Sequence, residues 1–205
     1  PVRYLGNRSS GLMGFAMADE ARDRGAEVTL IAGAVSAPAP AGITLQAVAT
    51  ASEMRDAVRV AMTEADVLVM AAAVADYRAE HLAQQKIKKG SAAENADGSL
   101  TLRLVRTPDI LAELANLPEM GRVVRVGFAA ETTDLKEHAA RKLASKRLDL
   151  LVANDVARAG SGFGTPTNEV TIFYADGRVE ELPLLPKPDV ARAIWDRIVV
   201  LMRGR

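Results

Sequence analysis

The chain has 205 residues, enough to bury a core of its own as one large domain, with no linker or internal repeat to divide it. Its 26 basic and 26 acidic side chains cancel and only 4% of its residues are aromatic, which argues against a broad nucleic-acid surface or a stacking platform while leaving small anions as ligands. The absence of cysteine removes disulfides, thiolate nucleophiles and cysteine metal sites, and two histidines, His81 and His138, leave little for a zinc centre.

From the amino terminus, Gly6-Asn7-Arg8-Ser9-Ser10-Gly11 precedes an apolar-periodic run over 12–24 that stops at Gly25, so a polar turn opens a helix. Short strands are predicted over 27–32 and 43–48, separated by a loop holding Pro38 and Pro40. Thr50 and Glu53 make a capping box for a helix to about Ala65, and the apolar stretch 66–73 reads as a strand covered on both faces. Residues 75–97 lose all apolar period and contain Lys86, Lys88 and Lys89, so a mobile lysine loop over about 78–98 is expected. A half-exposed strand over 99–105 follows. Thr107, Pro108 and Asp109 then supply cap, first-turn proline and first-turn carboxylate for a helix to about Leu117. The remaining expected elements are a strand over 122–130, a helix over 134–147 with Lys142 and Lys146 one turn apart, and a strand over 149–153 ahead of Asn154-Asp155. A hairpin turning at Asp176-Gly177 and an amphipathic helix over 189–203 carrying Trp195 close the chain. Alternating strands and helices favour a parallel α/β fold.

The residues that suit chemistry gather where such a fold binds ligands, beyond the carboxyl ends of its strands: Ala71, Ala72, Ala73, Asp76, Phe128, Asn154 and Asp155. Asn7, Arg8, Ser10 and Gly11 lie at a helix start, where free N–H groups and the helix dipole favour a phosphate or carboxylate. Each also has an ordinary reading: Ser9-Ser10-Gly11 as a simple cap, Phe128 as core, the lysine loop as a solvated charge run, Lys142 and Lys146 as helix-surface charges. No nucleophile and base stand at a recognisable elbow, so stabilisation of charge during phosphoryl or nucleotidyl transfer suits this side-chain set better than covalent catalysis.

Six motifs in order, Asn7-Arg8-Ser9-Ser10-Gly11-x-Met13-Gly14, Ala71-Ala72-Ala73-Val74-Ala75-Asp76-Tyr77, Lys86-Ile87-Lys88-Lys89, Pro108-Asp109-Ile110, Gly127-Phe128-Ala129-Ala130-Glu131 and Ala153-Asn154-Asp155, resemble the bacterial phosphopantothenoylcysteine synthetases. The resemblance covers essentially the whole chain. It implies a three-layer Rossmann-like (ribokinase-like) mostly parallel sheet with a carboxyl-terminal hairpin and closing helix, and a cytoplasmic homodimer that binds neither nucleic acid nor membrane. The family has a further strand before the Pro1 equivalent, so its first strand is expected to be missing from this chain. A flavin-dependent decarboxylase holding FMN is expected upstream in the same polypeptide, in keeping with a start at Pro1.

The activity implied is a CTP-dependent amide ligase acting with Mg2+. The carboxylate of 4′-phosphopantothenate attacks the α-phosphate of CTP and releases pyrophosphate, and the amine of cysteine then displaces CMP. By the same resemblance Asn7 and Lys86 are catalytic, and Asn7, Arg8 and Lys88 bind substrate. Ser10, Gly11, Ala71, Ala72, Ala73, Asp76, Lys86, Pro108, Asp109, Ile110, Leu111, Phe128, Lys142 and Lys146 hold the nucleotide, and the metal ligands are unassigned. Two other readings stay open: an NAD(P)-binding oxidoreductase, against which position 81 is His81 where a Tyr-x-x-x-Lys pair starting at Tyr77 needs lysine, and a non-catalytic nucleotide-binding module.

Overall fold

Local sequence chemistry sets the element boundaries in the computed structural model, which describes residues 6, 7, 9–81, 95, 97–131, 135–155, 162 and 164–205. Thr50 Oγ1 accepts from the Glu53 N–H at 3.1 Å and the Glu53 carboxylate accepts from the Ala49 N–H at 2.8 Å, so the capping box starts a helix, α2 (Ala51–Ala61). The preceding elements are α1 (Leu12–Asp23), β1 (Thr29–Ala32) and β2 (Thr44–Ala47). After α2 come β3 (Val67–Met70), β4 (Tyr77–Ala79), β5 (Leu104–Arg106), α3 (Ile110–Leu114), a 3-10 turn (Pro118–Gly121) and β6 (Val124–Glu131). α4 (Leu135–Ser145), β7 (Leu150–Asp155), β8 (Thr167–Tyr174), β9 (Val179–Pro186) and α5 (Lys187–Arg203) complete the order.

The central sheet runs β3-β6-β7-β8-β9, parallel from β3 to β7 and antiparallel through the terminal hairpin. β1 and β2 form a separate parallel pair, and β4 and β5 a small antiparallel ribbon. Alternation along β7 divides the core: Leu150 and Val152 face α1 and α5, with Ile194 and Ile198 fully buried there, while Leu151 and Ala153 face Ala139 and Leu143 of α4. A third cluster joins Met54 and Val58 of α2 and Met62 at its carboxyl cap to Leu68 of β3 and Ile110 of α3, with Ile31 of β1 packed against it. Side chains thus join the β1–β2 pair to the sheet, since among the described residues no backbone ladder runs between β1 and β3.

Several expectations shift. The apolar stretch 66–73 pairs only over 67–70, and Leu68 is its one buried strand residue, because β3 pairs with β6 alone. Residues 77–79, expected to open a loop, form β4 instead, and its partner is Leu104–Arg106, a shorter strand than 99–105 suggested. Asn154 and Asp155 lie within β7, opposite Ala130 and Glu131, and do not follow it. The segment 82–94 with Lys86, Lys88 and Lys89, together with Arg8, lies outside the described residues.

At the hairpin end, Glu180 accepts from the Tyr174 hydroxyl at 3.0 Å and from Arg197, whose guanidinium engages both of its oxygens. Arg197 first, and then Tyr174, hold the Glu180 carboxyl below its ordinary value against the opposing effect of burial. A depressed folded value means that this cluster's stabilisation is complete above the unfolded carboxyl pKa of about 4.3 and is lost as pH falls through the folded value. The urea midpoint is therefore expected to fall below about pH 4, and by less in Glu180→Gln, as followed by tryptophan fluorescence.

Candidate functional site

The turn that opens α1 is fixed by a backbone only glycine tolerates well. Gly11 has φ 82°, and a Cβ there would stand 3.0 Å from the Val35 side chain. Ser10 caps weakly, its hydroxyl 3.4 Å from the Leu12 N–H, and its carbonyl accepts from the Ala37 N–H at 3.2 Å. The Asn7 amide reaches across 66 residues of sequence and donates to the carbonyls of Ala73 and Val74, each at 3.3 Å. The start of α1 and the loop leaving β3 therefore meet, and a Cβ on Gly14 would contact Ala71 at 3.7 Å.

Thr107 holds the same loop from the other side. Its N–H donates to Asp76 O at 2.9 Å and its hydroxyl to Ala75 O. This corrects the reading of Thr107 as a helix cap: Asp109 caps α3, accepting from the Ala112 N–H at 3.2 Å, and Pro108 precedes the helix. The helix has five residues, and a carboxylate already sits at its start. Thr107 was missed as a site residue because its hydroxyl partner lies 32 residues away; the extended backbone that a following proline imposes was the available signal.

Asp109 also pairs with Lys146 at 3.1 Å. α4 descends from the end of β6, so Lys142 and Lys146 lie about 10 and 16 Å along its axis from its first turn, and Lys146 meets the site through segment 107–111 and not at the strand ends. Leu111 packs between two core clusters, beside Gly127, where a Cβ would fall 2.7 Å from Leu148 Cδ1 and 3.6 Å from Leu111. Phe128 is half-buried against the α1 and α5 core, so part of its ring serves packing. The structure thus brings together Asn7, residues 71–76 and segment 107–111 with Lys146, and places Phe128 on the α1 face of the sheet.

A buried lysine opens α5 beside the segment that leads into β8. Lys187 donates its ammonium to Gly162 O at 3.0 Å and to Thr165 O, and burial lowers its pKa from the ordinary value. Sequence reading began the last helix at Asp189 and so overlooked it. Among the described residues no three His, Asp or Glu side chains converge as a metal cage. Two clefts, one of about 430 Å³ between Gln46–Val48 and α2 and one of about 320 Å³ between Arg55 and Arg59 of α2 and Glu113, Leu114 and Leu117, contain none of these residues.

Residues 1–201 match the model of the DNA/pantothenate metabolism flavoprotein C-terminal domain. The chain belongs to this family. It is 44% identical over 204 residues to the Coenzyme A biosynthesis bifunctional protein CoaBC of Bacillus subtilis (strain 168), covering 99% of this chain and 48% of the relative. The protein of the same name from Escherichia coli (strain K12) is 44% identical over 199 residues, covering 97% and 48%. This flavoprotein C-terminal domain thus spans about half the length of the curated relatives it matches. A crystal structure of the C-terminal domain of a CoaBC protein superposes with a TM-score of 0.81 at 36% identity, over 100% of this chain and 89% of that one. The α/β architecture is that of the family, and no helix among the described residues is long and apolar enough to cross a membrane.

Proposed function

We propose that this domain is a phosphopantothenate–cysteine ligase of coenzyme A biosynthesis that activates its carboxylate with CTP. The observation that carries the reading is the meeting of three distant segments: Asn7 on the carbonyls of Ala73 and Val74, and Thr107 on those of Ala75 and Asp76. In this reading the arrangement is the cradle of backbone groups on which the nucleotide lies, with one adaptable amide at its rim.

In the first half-reaction a carboxylate oxygen of phosphopantothenate attacks the α-phosphorus of CTP, the bond to the bridging oxygen breaks, and pyrophosphate leaves. Two anions approach, so the step needs cations, supplied in this reading by Lys86, with Lys88, Arg8, Lys142 and Lys146 holding phosphates and ribose. In the second, the cysteine nitrogen attacks the acyl carbon, an oxyanion forms and collapses, CMP departs, and the amine loses a proton. Asn7 turns its amide from the chain's own carbonyls to that oxyanion. Asp76, the backbone of Ala71–Ala73, the segment Pro108–Leu111 and the open part of Phe128 position the cytidine, while Ser10 and Gly11 face the phosphates.

Magnesium fits as an ion held mainly by phosphate oxygens, with one or two carboxylates such as Asp76 at most, since no side-chain cage is present among the described residues. It would supply charge neutralisation at the triphosphate. FMN belongs to a flavin-dependent decarboxylase half fused upstream. A homodimer is supported by the exposed Tyr77, Leu100, Leu102 and Leu104 on and beside the β4–β5 ribbon, apolar groups that a second copy would cover.

The deciding test is pyrophosphate release with CTP, phosphopantothenate and Mg2+, omitting each in turn. Release independent of cysteine, with amide product only when cysteine is added, is expected; release with no requirement for phosphopantothenate would overturn the reading. Thr107→Val removes the hydroxyl while keeping the shape. It should raise KM for CTP roughly threefold to tenfold, the net worth of one hydrogen bond, and leave kcat nearly unchanged in the same assay.

A further inference from the structure

At the opposite end of the sheet from the 71–76 loop, where β6 and β7 begin, two arginines meet one carboxylate and the charge of a third, Arg147, reaches them. Asp149 Oδ2 accepts the Arg125 backbone N–H at 2.7 Å, and Asp149 Oδ1 is taken by the guanidinium of Arg205. The Arg125 guanidinium is left 3.8 Å from Oδ2, beyond hydrogen-bond reach. Its side chain is only 13% exposed, and the atom that faces Oδ2, Nε, is buried with no hydrogen-bond partner. A buried donor without an acceptor is destabilising, the more so when charged, so the site suits a group that the described residues do not themselves provide.

Charge accounting points the same way. Of the acids at this end, Asp66 pairs with Arg122 at 3.7 Å and Asp176 with Arg178 at 2.8 Å. Arg147, held at φ 48° in the turn before β7, spends one N–H on Ala115 O at 3.4 Å. The charges of Arg205 and Arg147 act on Arg125, and burial first, then these two charges, lower its pKa against the opposing pull of Asp149. Among the described residues, the guanidinium groups of Arg125 and Arg205 thus share one carboxylate, with the charge of Arg147 acting on Arg125, around an N–H that lacks a hydrogen-bond acceptor.

We infer that Arg125, Arg147 and Arg205 form an oxyanion site for a phosphate group, separate from the 71–76 loop, with Arg125 Nε–H as its central donor. Guanidinium donors match the tetrahedral oxygens of phosphate, and partial burial strengthens the charge-assisted bonds. The shared chemistry is that of inorganic phosphate and of a phosphomonoester.

The test follows the arginine Nε–H signals of the 205-residue chain by proton–nitrogen correlation spectroscopy during titration with inorganic phosphate, with chloride exchanged to keep ionic strength constant. The resonance assigned to Arg125 by its loss in Arg125→Lys should move saturably. Arg147→Asn, a change at an exposed left-handed position that asparagine accepts, should weaken the response at least tenfold. Phosphoserine is the second arm: an equal response assigns the site to phosphomonoesters, and none assigns it to the free ion, both in keeping with the site. No saturable movement, a response unchanged in Arg147→Asn, or its loss in Lys146→Gln, which would place the phosphate in the nucleotide region, overturns the inference.

Discussion

Asn7→Asp is expected to slow amide formation by about 100-fold to 1,000-fold while cysteine-independent pyrophosphate release continues near the parent rate. Removing one preorganised oxyanion donor costs this much in other acyl transfers, and aspartate adds a negative charge beside the carbonyls of Ala73 and Val74, to which the asparagine amide now donates. Quenched-flow measurement should then find the acyl-cytidylate accumulating. If product forms at the parent rate, the proposed role for Asn7 is wrong; if both half-reactions fail together with unfolding, Asn7→Ala separates lost chemistry from lost structure. Lys86 has the complementary expectation, since Lys86→Gln should suppress the first half-reaction.

Trp195→Ala should produce the largest loss of stability, about 3–5 kcal/mol, in line with other buried aromatic truncations. The indole is 9% exposed in the seam between α1 and α5, and its N–H donates to Met17 O at 2.8 Å. A domain is typically stable by about 5–15 kcal/mol, so the change consumes a large share, and the melting midpoint should drop by roughly 6–20 °C. Trp195→Phe, which keeps most of the apolar contact, should lose less than half as much. Equal losses in the two variants would show that the hydrogen bond, and not the packing, holds α1 in place.

Features whose partners lie close in sequence were legible beforehand: the Thr50–Glu53 box, the turn at Asp176-Gly177 with Gly177 at φ 90°, and the apolar stripe that buries Trp195. What escaped notice depends on distant carbonyls. Thr107-Pro108-Asp109 offers two plausible caps two residues apart, and the choice is made by Ala75 O, which claims the threonine hydroxyl. Lys187 is an unremarkable surface residue until the chain near Gly162 and Thr165 folds over it. The three-residue β4, Tyr77-Arg78-Ala79, is too short to carry a period and exists through pairing with Leu104–Arg106. Within the candidate site, the residue types at 7, 71–76 and 108–111 were identifiable, but the clasp that joins them was not.

Among the described residues no ladder joins β1 to β3, and the α1 turn acts as a rivet across that seam. Ser10 O fastens it to Ala37 beyond β1, and Asn7 fastens it to Ala73 and Val74 beyond β3. Among the described residues no strand-to-strand bond joins the two portions, so amide exchange in β1 and β2 of this chain should proceed through a cheaper opening than that of β6 and β7. A nucleotide gripping the turn from both flanks would close that route, and its arrival would be felt as slowed exchange far from any atom it touches.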